Sequence, residues 1–192
     1  SYSATALGGV DIYFGSTDVV VSKFDPTLGQ LLASTFIGGA SGDSGTAMEI
    51  EIGAGPGGSD RIVVAGLTGS DDFPTTSGAF DEEHNGSADV FVFRLNDDLS
   101  TLLASTYVGG SNLESHFETN MRRGPDLAMD TAGNIYVAGT TASSDFPHSP
   151  AGKELVGYTP FRAGKNSDDD AFVIKLSNNL ENLLGWTYLG GD

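Results

Sequence analysis

Basic residues are scarce in this chain, and three of its nine recur at one place. Lys23, Arg94 and Lys175 each follow an Asp by five positions, after Asp18, Asp89 and Asp170. A recurring cation can line a ligand-binding ring or pair with a recurring carboxylate. Asp72 and Asp145 supply the carboxylates, each in a copy of an Asp-Phe-Pro loop, Asp72-Phe73-Pro74 and Asp145-Phe146-Pro147. The expected arrangement is structural: Arg94 pairs with Asp72, Lys175 with Asp145, and Lys23 marks the same place in the first copy. Such a pair fixes a loop more than it adds stability. The Phe-Pro that follows each Asp is then the apolar plug of the loop.

The acidic residues suggest a second chemistry. They cluster as Asp71-Asp72, Asp81-Glu82-Glu83 and Asp168-Asp169-Asp170. Calcium takes six to eight oxygen ligands, and Gly/Asp-rich loops supply them. Asp168 and Asp169 are the expected Ca²⁺ ligands; the competing assignment is a solvated acidic rim. No stretch has EF-hand spacing. His84, His116 and His148 are scattered through loops with no zinc-like spacing, and they read as exposed loop histidines. No Gly-x-Ser-x-Gly elbow and no phosphate-cradling loop is present. No catalytic residue is assigned.

A third candidate is a contact surface. The loop from His148 to Asp169 gathers Tyr158, Phe161, Arg162 and Lys165 in an otherwise acidic chain. Trp186 stands where the other copies have Ser34 and Ser105. A lone large aromatic on an outer strand suits sugar stacking or a subunit contact; local packing is the alternative.

Bulk composition narrows the partners. A net charge of −17 repels nucleic acid and anionic lipid, so neither is expected to bind. Without cysteine there is no disulfide framework and no thiolate site. No apolar run reaches membrane-spanning length. Ser1-Tyr2-Ser3 follows no basic or apolar leader, so an exported protein would be represented here by its mature chain.

The elements that must carry these residues come from a repeat. It reads DVVVSKFDPTLGQLLASTFIGG from Asp18, DVFVFRLNDDLSTLLASTYVGG from Asp89 and DAFVIKLSNNLENLLGWTYLGG from Asp170. Each copy is a pair of apolar strands joined by a polar turn and closed by Gly-Gly. Between the copies stand RIVVAGLTGSDDFP from Arg61 and NIYVAGTTASSDFP from Asn134. A full unit therefore predicts four short strands, at 46–52, 61–66, 89–95 and 101–108, and again at 126–130, 134–139, 170–176 and 183–189. Val90-Phe91-Val92-Phe93 is apolar on both faces, which places that strand inside a stack of sheets. Nothing shows helical spacing with caps.

Four-strand units with Gly-rich joins suggest β-propeller blades. The combination G-N-x-Y-V-A-G-T-T-x-S-x-D-F-P, D-x-F-V-x-K-L and L-x-x-x-T-Y-x-G-G resembles the bacterial seven-bladed β-propeller-related repeat, at residues 133–147, 170–176 and 184–191. The resemblance implies an all-β fold of four-stranded antiparallel blades. About three are expected in this chain, as an open arc or part of a larger propeller. Residues 1–39 read as a shortened first blade, 40–110 as the second, and 111–192 as a third with loop insertions, all in one domain. The resemblance also implies a secreted or cell-surface protein of a bacterium or archaeon, with the periplasm as a further location. The expected function is a non-catalytic structural or interaction module that binds protein or glycan partners through blade loops. Other copies of itself, or another subunit, would complete the propeller. The alternatives are a propeller-based lyase or hydrolase and a carbohydrate-binding module.

Overall fold

A computed structural model describes residues 17–114, 124–155, 157–161 and 169–190. Ten strands form three antiparallel sheets, and no α-helix occurs among the described residues. The first sheet pairs β1 (Val19–Phe24) with β2 (Leu31–Ile37). The second runs β3 (Asp43–Glu51), β4 (Arg61–Thr68), β5 (Asp89–Asn96) and β6 (Leu102–Val108) in chain order. The third repeats that order with β7 (Asp126–Met129), β8 (Ile135–Thr141), β9 (Asp170–Leu176) and β10 (Leu183–Leu189). These are propeller-type blades, two of them four-stranded. The counterparts expected in residues 1–16 lie outside the described residues.

The sheets stack through the repeat's alternation. On β5, Phe91, Phe93 and Leu95 pack toward β1, in one core with Val19 and Val21. Val90 and Val92 point the other way, into a core with Phe172 and Ile174 of β9. Each blade therefore has a branched, smaller front face and a larger back face, and the front of one meets the back of the next. Both cores are built of buried apolar side chains, which is where such a stack gains its stability.

The turn after each such strand carries a Leu at positive φ: Leu28 at 58°, Leu99 at 60° and Leu180 at 60°. This left-handed backbone costs a non-glycine residue about 1–2 kcal/mol. Leu99 and Leu180 are offset by burial between blades. A β-bulge recurs beside the basic residue, between Lys23 and Phe24 and between Arg94 and Leu95, and the β9–β10 register shifts at the same place. Bulges twist and bend a strand, and these turn the cation toward its neighbour.

Candidate functional site

The recurring basic residues do not pair with the Asp-Phe-Pro loops. Lys23 Nζ meets Asp97 Oδ1 at 2.5 Å, in the β5–β6 turn of the following blade. Arg94 donates to the main-chain carbonyls of Asn178, in the β9–β10 turn, and Gly133, and its Nε lies 3.5 Å from Glu51. Lys175 meets Asp130 at 3.1 Å within its own blade and lies 4.8 Å from the Tyr136 ring centroid. The expected Arg94–Asp72 and Lys175–Asp145 pairs are therefore corrected. The cation sits on the front face of its blade, whereas the Asp-Phe-Pro loop reaches back to the preceding one.

That loop is a latch. The chain crosses from the first blade to the second through Gly38-Gly39-Ala40-Ser41-Gly42-Asp43, and from the second to the third through Gly109-Gly110-Ser111-Asn112-Leu113-Glu114. Asp72 Oδ1 accepts the Ala40 N–H at 2.6 Å, and Ser70 Oγ accepts the Ser41 N–H at 2.9 Å. Asp145 Oδ1 accepts the Ser111 N–H at 2.9 Å, and Ser143 Oγ accepts the Asn112 N–H at 2.9 Å. A short parallel bridge completes each crossing, Thr17 with Gly42 and Ala88 with Leu113. Phe73 and Phe146 plug the seam, Phe73 stacked 4.5 Å from Phe91 and Phe146 tilted 4.3 Å from Phe172. Tyr188 ties the loop down by donating to the Phe146 carbonyl at 2.7 Å, as Tyr107 does to Ser70 at 2.9 Å.

The Gly-Gly that ends each copy is fixed by this joint. A Cβ on Gly38 would stand 2.5 Å from Asp18 Oδ1 and 2.8 Å from Asp43 Oδ2. Gly109 is blocked by Asp89 in the same way, and Gly190 by Asp170. The first Asp of each repeat, assigned no role from sequence, thus belongs to a buried acidic set at the blade joint. Asp43, Asp89, Glu114 and Asp170 are all buried. Their recurrence opposite Gly-Gly was the available sequence signal. Nearby, His84 packs edge-on to Tyr107 at 5.8 Å, and His148 Nδ1 lies 3.5 Å from Asp81. Expected as exposed loop histidines, both are instead half-buried. His116 lies outside the described residues.

At the first joint Asp18 and Asp43 line an open cavity of about 620 Å³, walled otherwise by β1 and β3 residues such as Val19, Val21 and Met48. A second cavity, about 390 Å³, is lined by Ser44, Thr46, Leu67, Thr68, Ser87 and neighbours that carry no ionisable side chain. Among the described residues no three His, Asp or Glu side chains converge as a metal site requires. Asp169 is described, while Asp168 lies outside the described residues, as do Arg162 and Lys165.

Tyr158 and Trp186 are brought together. The Tyr158 hydroxyl donates to the Trp186 carbonyl at 2.7 Å and accepts the Trp186 N–H at 3.2 Å. Thr76 grips Ser105 of β6 in the same fashion, through N–H to carbonyl at 3.1 Å and Oγ from N–H at 3.0 Å. Both loops cover the outer edge of a sheet, where unpaired backbone groups would invite aggregation. The Trp186 ring lies edge-on to Tyr188 and packs against the core. Phe161 is almost wholly exposed and does not join them in a platform.

The stacked antiparallel sheets, inter-blade cations and latched crossings are those of partial propeller blades. The Beta-propeller repeat family model matches residues 121–147, a stretch that holds β7, β8 and the latch loop through Pro147. A repeat of this kind is in general an interaction module. No curated protein matches the chain. Among the described residues no helix is long and apolar enough to cross a membrane.

Proposed function

We propose that this chain is a non-catalytic interaction module of a secreted or cell-surface bacterial assembly, and that its end sheets dock further blades of the same pattern, in a ring of seven. One observation carries the reading. Val20, Phe24 and Leu28 on the back of the first sheet are 56%, 48% and 77% exposed, whereas their counterparts Phe91, Leu95 and Leu99 in the second blade are 0%, 1% and 2% exposed. The counterparts in the third blade, Phe172, Leu176 and Leu180, are equally buried, at 1%, 0% and 0%. The same positions that are seams elsewhere lie open here, and a strained, exposed Leu28 has no compensation until something covers it.

The occupant this face fits is defined by the two joints inside the chain: a front face with two small or branched residues and a cation. Ala171, Val173 and Lys175 present that pattern at the opposite end. A head-to-tail contact of this kind is heterologous and closes into a ring when its rotation permits. The acidic, cysteine-free composition supports an exported location. Sedimentation equilibrium of the purified chain tests the docking. The expected result is concentration-dependent association that Leu28→Asp and Val20→Asp each abolish without loss of folding. A concentration-independent monomer, unchanged by either substitution, would overturn it.

A further inference from the structure

The joint between the second and third blades closes over two acids whose hydrogen bonding is incomplete. Asp89 opens β5 and Glu114 ends the crossing segment, and both are fully buried. One oxygen of each is satisfied. Asp89 Oδ2 accepts the Asn85 N–H at 2.8 Å, and Glu114 Oε1 accepts the Thr141 and Ser143 hydroxyls at 3.0 and 2.5 Å. The other two oxygens, Asp89 Oδ1 and Glu114 Oε2, receive no N–H or O–H donor from the described residues. The Ala88–Leu113 bridge and the Glu114 N–H donated to the Ala88 carbonyl at 2.9 Å set the two residues side by side at the joint. Two ionised carboxylates held together out of water repel and are poorly solvated, so one proton between them resolves both problems.

We propose that Asp89 and Glu114 share a single proton and form a pH-sensitive clasp on this blade joint. In the closed clasp Glu114 Oε2–H donates to Asp89 Oδ1; base takes that proton to solvent and leaves two carboxylates facing each other. Among the groups that act most on the two carboxyls there is no Lys or Arg, and His84 is the one base, its charged form lowering Asp89. Asp81 and His84 face Asp89 from the loop before β5, and Tyr107 from β6. Tyr188 of β10 faces Glu114, with Asp145 and Asp170 around the same phenol. Burial raises both tyrosines, Tyr188 to about 12, so neither ionises before the clasp does. Glu114 is pushed up to about 8, chiefly by burial and further by Asp89, which is itself raised by burial. The first joint has the same plan, with Asp43 where Glu114 stands and Asp18 where Asp89 stands, both crowding Gly38.

The test compares the full chain with Glu114→Gln, whose amide N–H₂ replaces the shared proton permanently while its carbonyl still accepts from Thr141 and Ser143. Chemical unfolding is followed from about pH 5 to pH 9. The wild type is expected to lose stability steadily as pH rises toward about 8 and to take up about one proton on folding within that range. Glu114→Gln is expected to be flat there. A wild type that is flat, or a Glu114→Gln variant that keeps the wild-type slope, overturns the clasp. If Glu114→Gln does not fold, the infrared spectrum of the wild type decides. A protonated-carboxyl C=O band persisting above about pH 6 supports the shared proton, and its absence there overturns it.

Discussion

Arg94 in the second blade donates its guanidinium to the main-chain carbonyl of Asn178, a turn residue of the third blade 84 positions along the chain. Lys23 reaches the Asp97 carbonyl in the same way, 74 positions along and one blade earlier. The two are one device, a cation that fastens each blade to the hairpin turn of the next. They differ in burial, and that sets their worth. The Arg94 side chain is 4% exposed and its partner Glu51 16%, while Lys23 and Asp97 are each 38% exposed. Arg94→Ala is expected to cost about 1–3 kcal/mol, because it leaves two carbonyls without their donor, while Arg61 still faces Glu51 at 3.8 Å. Lys23→Ala should cost less than about 1 kcal/mol. Urea unfolding of both variants checks the contrast; equal losses would show that burial does not govern the pair.

The left-handed leucines predict opposite outcomes from one substitution. Asn tolerates positive φ better than Leu. At exposed Leu28, replacement by Asn relieves strain and removes little packing, so the isolated chain should gain about 0.5–1 kcal/mol. At Leu180, buried in the seam between blades, the same change should cost about 2–4 kcal/mol through the cavity it leaves. Thermal melts at low protein concentration measure the first effect free of association. A loss at Leu28 as large as that at Leu180 would mean its side chain is already packed.

The strand pattern was legible because period-two alternation and turn chemistry are local. Asp130-Thr131-Ala132-Gly133-Asn134 encodes its turn outright, with Asp130 Oδ1 accepting the Ala132 and Asn134 N–H groups at 3.0 and 2.9 Å and Gly133 at φ 78°. The blade joints were not legible, because they depend on how sheets stack. Arg94 and Asp72 recur together because both are copied with the repeat, not because they touch. One faces the next blade and the other the previous crossing. The same limit hid Asp89 and Glu114, separated by β5, β6 and a crossing. Tyr158 and Trp186 were picked out as aromatics, but what unites them is a hydroxyl on a main-chain edge.

Asp130 sets an acid limit on stability. Hydrogen bonds from Asn134, with help from Lys175, hold its carboxyl down to about 2 from an ordinary 3.8. The unfolded state therefore binds the proton first as pH falls. The contribution is fully present above about 3.8 and is lost as pH drops toward about 2. Asp130→Asn should flatten this acid limb and leave the loss toward pH 8 untouched, since Glu114 governs that side. Unfolding free energy from about pH 2 to pH 5 is the measurement. An unchanged acid slope would assign the limb to other carboxylates.

The latch makes the most local prediction. Asp145 Oδ1 accepts both the Ser111 N–H and, at 3.0 Å, the Ser111 hydroxyl, and no sheet partner takes over that N–H in the crossing segment. Asp145→Ala removes two charge-assisted bonds at a partly solvated rim, so water replaces them and the global cost should stay near 1–2 kcal/mol, roughly that of the bonds alone. The local effect should be larger. Amide exchange at Ser111 and Asn112 is expected to speed by at least tenfold, while Phe172 and Ile174 in the core beneath exchange as before. Acceleration spread evenly across β9 would show instead that the crossing and the blade open as one unit, and that the loop is part of the core rather than a latch over it.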